Sequence, residues 1–218
     1  MGFFSRLFGP TQSQRPRNEA LDAAERLGKA SVDYAEKVKN ALVRSYTLAL
    51  KEFYDGKGTL SSDAEKSAYV QTTLEFTFYF LYGALLEVRA KTDGMGLDLA
   101  DSALVRSPFL VLACAFWPGA PLEKKQELSS ELEANFRKRA DSSPLNWRGV
   151  PPDSVADFKE MAVTIAAVSI ARQAGKEGDS ALVGKIQAIC ARVAEETCLF
   201  SLAQTWGTAL SVFRDAPV

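Results

Sequence analysis

Apolar side chains recur along this chain at spacings of three and four residues, and no stretch alternates as a half-buried strand would. The pattern predicts an all-α fold: a single globular bundle of six or seven helices behind a short flexible N-terminal segment. Leu27, Tyr34, Val38, Leu42, Ala49 and Phe53 form one stripe of a long amphipathic helix. Asn18 is its expected N-cap and the turn at 55–58 its end. Ser61, Ser62 and Asp63, with Glu65, read as a second helix start. That helix runs to about Lys91 through Tyr69, Phe76, Phe78, Tyr79, Phe80 and Tyr82. Its second half is apolar on every side, which places it at the centre of the bundle.

After a loop at 93–96, the spacing predicts a short helix from Leu97 to Arg106. Pro108 then opens an apolar, turn-rich segment that reaches Trp117 and breaks at 118–121. Leu122 to Ala140 is the most charged helix, with Leu128, Leu132 and Phe136 as a narrow apolar seam, so it belongs on the surface. The irregular stretch 141–152 fits a lid, a hinge or a crossover. Asp153 is expected to cap a helix through Ala174, ended by the turn at 175–178. Asp179 and Ser180 begin a last long helix in which Leu182, Ile186, Ile189, Val193, Leu199, Leu202, Trp206, Leu210 and Phe213 keep helical spacing. The organisation is thus a segment and polar connector over 1–17 and a bundle domain over 18–218. ALVRS at 41–45 returns at 103–107 and DSALV at 101–105 returns at 179–183. The offsets are unequal, so shared helix-start chemistry accounts for both better than a helical repeat.

Composition changes this picture by narrowing the chemistry. A chain with 47% hydrophobic residues can bury a sizeable core without a cofactor or disulfides. There is no histidine, the side chain on which most acid–base and zinc chemistry near neutral pH depends, and a histidine-containing di-iron bundle is excluded. The charge is balanced, 26 basic against 27 acidic residues, so partners must be recognised by local patches. Cys114, Cys190 and Cys198 are an odd set without the spacing of a disulfide framework. They point to a reducing cytoplasm. No secretory signal or membrane-spanning run is expected.

The candidate chemistry begins with Phe3, Phe4, Leu7 and Phe8. They share one side of a two-turn helix, with Ser5 and Arg6 opposite, on the polar connector 9–17. Phe3, Phe4, Arg6, Leu7 and Phe8 are therefore the expected membrane- or partner-binding residues. The alternatives are packing against the chain's own domain or a second copy, or a disordered tail. The opening nine residues look like those of some bacterial peripheral membrane proteins, a likeness that carries no family assignment. Gly2 lacks the Ser or Thr at position 6 that myristoylation requires.

The aromatic cluster offers a different class of function, an apolar or lipid-like ligand held by Tyr69, Phe76, Tyr79 and Phe80, against the simpler reading as core. Glu123, Glu127 and Glu131 align on one helix face, and Asp22/Glu25, Asp33/Glu36 and Asp157/Glu160 are spaced three apart. Such carboxylates are the basis of a divalent-metal hydrolase reading; solvated helix faces with Lys124, Lys125 and Arg137 as ion-pair partners explain them better, and no metal or other cofactor is expected. Asp55–Thr59 and Gly175–Ser180 lack phosphate-loop spacing. Arg137, Lys138 and Arg139, with Trp147 and Arg148, raise nucleic acid as a partner, but cations at a helix C-terminus account for the cluster and make it unlikely. The expectation is a non-enzymatic binding or regulatory protein, cytoplasmic and peripheral at the inner face of a membrane. Its partner would be a protein or the membrane surface, with homo-oligomerisation open.

Overall fold

The computed structural model describes residues 14–53, 63–92, 97–173, 175–204 and 207–208. Side chains including those of Leu27, Ala49 and Phe53 lie outside that description, as do Trp206, Leu210 and Phe213 altogether. The fold is an all-α bundle, with no strand among the described residues. Its helices are α1 (Gln14–Phe53), α2 (Asp63–Thr92), α3 (Leu97–Phe116), α4 (Leu122–Ala140), α5 (Val155–Gln173) and α6 (Ser180–Glu196), and the chain is helical again over 199–204. Among the described residues no helix is long and apolar enough to cross a membrane.

The apolar circumference of α2 makes it the axis of the bundle. Phe76, Phe80, Tyr82, Leu85, Leu86 and Val88 are all buried, and α1, α3 and α5 pack around it. Helix α1 turns Tyr34, Val38 and Leu42 inward, as its stripe predicts, and lies on α3, α6 and α2. It begins at Gln14 rather than Asn18. Pro16 in its first turn is harmless, because an N–H there has no helical acceptor to lose. At its far end an ion pair between Arg44 and Glu196 joins α1 to α6.

Two expectations fail at helix interiors. The first is at Pro108, where α3 runs unbroken from Leu97 to Phe116. Proline removes a backbone donor and disfavours helix in the residue before it, a cost of about 3 kcal/mol. Burial of Val105, Phe109, Leu112 and Ala113, with packing against α1, α2 and α4, offsets that cost. The second is at Thr197 and Cys198, where α6 stops and the predicted long helix divides. The Thr197 hydroxyl and amide both donate to the Val193 carbonyl, at 2.7 and 3.1 Å, and Cys198 takes a left-handed φ of 52°. The turn redirects the chain so that Leu199 and Ala203 enter the core.

The turn after α5 follows the sequence closely. The amide of Lys176 donates to the carbonyl of Ala171 and that of Gly175 to Arg172, both at 2.9 Å, with Gly175 at φ 67°. This is the glycine-capped helix end that an αL residue allows. Asp179 caps α6 by accepting from the Leu182 amide at 2.9 Å. Asp153 instead sits in a 3-10 turn, Pro152–Ser154, that leads into α5 without a side-chain cap. The stretch 141–152 is a packed crossover. Leu145, Trp147 and Val150 are buried, and the Tyr82 hydroxyl donates to the Leu145 carbonyl at 2.7 Å.

Gly83 fixes the close approach of the chain after Cys198. A Cβ there would lie 2.5 Å from Phe200 Cε1, while Phe200 is held by Tyr79 edge-on and by the Lys159 ammonium 4.3 Å above its ring. Gly83→Ala should gain about 1 kcal/mol of helix propensity but lose about 1–3 kcal/mol to overpacking. A net destabilisation is expected in urea denaturation. With Phe200→Leu already present, the same change should become neutral or stabilising.

Candidate functional site

Phe3, Phe4, Arg6, Leu7 and Phe8 lie outside the described residues. The other predicted site is resolved and is filled by its own side chains. Phe76 and Phe80 are fully buried and stacked at 6.4 Å, Tyr79 leans on Phe80 at 5.3 Å, and Tyr69 meets Phe116 edge-on at 5.6 Å. Burial raises the Tyr79 hydroxyl well above its ordinary pKa, and the nearby Cys190 thiol adds to the shift. Phe76, Tyr79 and Phe80 form core, and Tyr69 is half-buried at its edge.

The open volume lies on another side of the same helix. The backbones of α2 and α4 stay apart, each packing on α3, and the two helices meet through side chains. The valley between them is a groove of about 300 Å³. From α2 come Gln71, Leu74, Glu75 and Phe78, and from α4 come Leu132, Asn135, Phe136 and Arg139. Both sets follow the spacing i, i+3, i+4, i+7 that places residues along one helix face. Phe109 of α3 adds to the floor, where its ring and that of Phe78 each tilt against Phe136, at 5.8 and 5.6 Å.

Polar groups bound the groove. Arg139 Nη1 donates to Glu75 Oε2 at 2.7 Å, the Ser169 hydroxyl donates to Glu75 Oε1 at 3.0 Å, and the guanidinium lies 3.8 Å above the Phe78 ring. One ion pair thereby joins α4, α2 and α5. The side-chain amides of Gln71 and Asn135 are exposed and form no hydrogen bond among the described residues. Sequence reasoning placed Leu132 and Phe136 in a seam and Phe78 in the aromatic cluster, but did not bring them together. The matched register on α2 and α4 was the available signal.

A second hollow, of about 410 Å³, is polar and lies between the end of α2 and the helical stretch after Cys198. Glu87, Ala90, Lys91, Ser201, Gln204 and Thr208 line it. There Glu87 accepts from Lys159 and, at 2.9 Å, from the Gln204 amide, which fixes the redirected chain to α2 and α5.

The remaining candidates are dispersed. Glu123, Glu127 and Glu131 are exposed, with Lys124 2.7 Å from Glu127, and among the described residues no three His, Cys, Asp or Glu side chains gather as a metal site. In the basic cluster, Arg137 pairs with Glu133 at 2.7 Å and Arg139 with Glu75, while Trp147 is buried and so cannot stack on a base. Cys190 is buried, whereas Cys114 and Cys198 are exposed. No protein-family model, curated protein or solved structure matches this chain.

Proposed function

We propose that this chain is a binding or regulatory protein without chemistry of its own, recruited to the inner face of a membrane by residues 1–8, and that the α2–α4 groove is its recognition surface. The observation that carries the reading is the groove itself. Its floor of Phe78, Phe109, Phe136, Leu74 and Leu132 is bordered by a few polar groups with hydrogen-bonding capacity to spare, the usual make-up of a binding site. Support for recruitment comes from the sequence. Three phenylalanines and a leucine contribute several kcal/mol on burial, at about 2 kcal/mol each before the cost of ordering the segment. Arg6, Arg15 and Arg17 add about 1 kcal/mol each beside anionic lipid.

Recruitment is tested by co-sedimenting the full chain, and the same chain carrying Phe4→Asp and Phe8→Asp, with anionic and neutral vesicles at low and high salt. The parent should pellet with anionic vesicles in a salt-sensitive manner, and the variant should bind at least about tenfold more weakly. Equal binding by the two chains, or none by the parent, would reject recruitment through this segment.

A further inference from the structure

We propose that the α2–α4 groove takes a small apolar molecule ending in a carboxylate, its body on the three phenylalanines and its head at Arg139. The inference rests on reading the groove as the recognition surface, and adds the class of ligand.

The polar end of the groove has unused donors. Both oxygens of Glu75 are occupied, one by Arg139 and one by Ser169. Arg139, by contrast, makes one side-chain hydrogen bond with Nη1, and a guanidinium has five N–H groups. Asn135, one helical turn earlier on the same face of α4, adds an unengaged amide donor at the mouth. A ligand group seated against Arg139 therefore meets only N–H donors and must be an acceptor.

The guanidinium favours an anionic acceptor over a neutral carbonyl, because a hydrogen bond between ionised partners is about twice as strong as a neutral one. The last turn of α4 carries Arg137, Lys138 and Arg139. Glu133 answers the first and Glu75 the third, while Lys138 has no ion-pair partner among the described residues. The Arg139 side chain is 31% exposed, so an incoming carboxylate reaches it without breaking its pair with Glu75.

Size limits the body. A volume of about 300 Å³ is about twice the roughly 150 Å³ cavity that accommodates a benzene ring. That suits a single ring on a short chain better than a long acyl tail or a membrane lipid. Rings tilted at 54° and 55° across the floor offer edges and faces to a further aromatic ring.

The test titrates the full chain with 3-phenylpropanoate and, separately, with 3-phenylpropan-1-ol, following the amide resonances of residues 71–78 and 132–139 by NMR. The acid should bind about tenfold or more tightly than the alcohol, and Arg139→Gln should abolish that preference. Asn135→Ala, which disturbs no contact of the fold, should weaken the acid several-fold while leaving the alcohol unchanged; it guards against a folding defect in the first variant. Equal binding of acid and alcohol would overturn the carboxylate assignment and leave the groove as an apolar recognition surface. Binding of neither would overturn both readings of the groove. Shifts from anionic vesicles at these same residues, without shifts from the acid, would assign the site to lipid and overturn the proposal.

Discussion

Raising the pH from 9 to 11 is expected to remove about 6 kcal/mol of stability, enough to unfold a protein of ordinary stability. Four buried acids cause the loss. Burial pushes the Cys190 thiol and the Tyr34, Tyr79 and Tyr82 hydroxyls far above their ordinary values of 9.0 and 10.0. In the folded chain these groups stay protonated in alkali, whereas the unfolded chain releases their protons. The stability they contribute is complete below about pH 8 and falls as pH rises through the unfolded values. Tyr34 has no hydrogen-bond partner for its buried oxygen among the described residues, so a phenolate there would stand unsolvated. Absorbance of tyrosinate and helical circular dichroism, followed together from pH 8 to 12, provide the check. Helicity and the tyrosinate signal of these three among the chain's six tyrosines should change in one cooperative step between about pH 10 and 11. Titration of all six tyrosines with helicity intact would show that these hydroxyls are not sealed from water.

Trp147→Ala should be the most damaging single substitution in the crossover between α4 and α5, at about 3–5 kcal/mol. The indole is 2% exposed and is flanked by buried Leu145 and Val150, under the Tyr82–Leu145 hydrogen bond. Its removal opens a cavity that neighbours held by α2 cannot refill. Urea denaturation should show a lower midpoint with an unchanged slope. A loss below about 1 kcal/mol would mean that the crossover opens independently of the bundle.

Local chemistry made much of the fold legible. The bounds of α4, the Asp179 cap and the Gly175 turn follow from signals within a few residues of each. The failures at Pro108 and Thr197–Cys198 share a cause, since in both places contacts distant in sequence decide the outcome. Burial of Phe109 and Leu112 carries a helix through a proline, while entry of Leu199 and Ala203 into the core divides a periodic run. The groove was hidden for a related reason. Density of aromatics pointed to Phe76, Tyr79 and Phe80, but only the separation of the α2 and α4 backbones, each packed on α3, leaves room at Phe78. Charged residues on α4 looked like surface, and the pairing of Arg139 with Glu75, 64 positions away, has no mark in either neighbourhood.

The uniform apolarity of α2 has a consequence for how the chain finds a single structure. An amphipathic helix knows which way to turn, because rotation about its axis exposes what should be hidden. Much of α2 offers no such contrast, and rotated packings would cover comparable apolar area. Its azimuth is then selected by the few polar points that only one orientation satisfies: Glu75 against Arg139 and Ser169, Tyr82 against the Leu145 carbonyl, and Glu87 against Lys159 and Gln204. These contacts add little to the gross burial that drives collapse, yet they separate the native arrangement from rotated rivals of similar compactness.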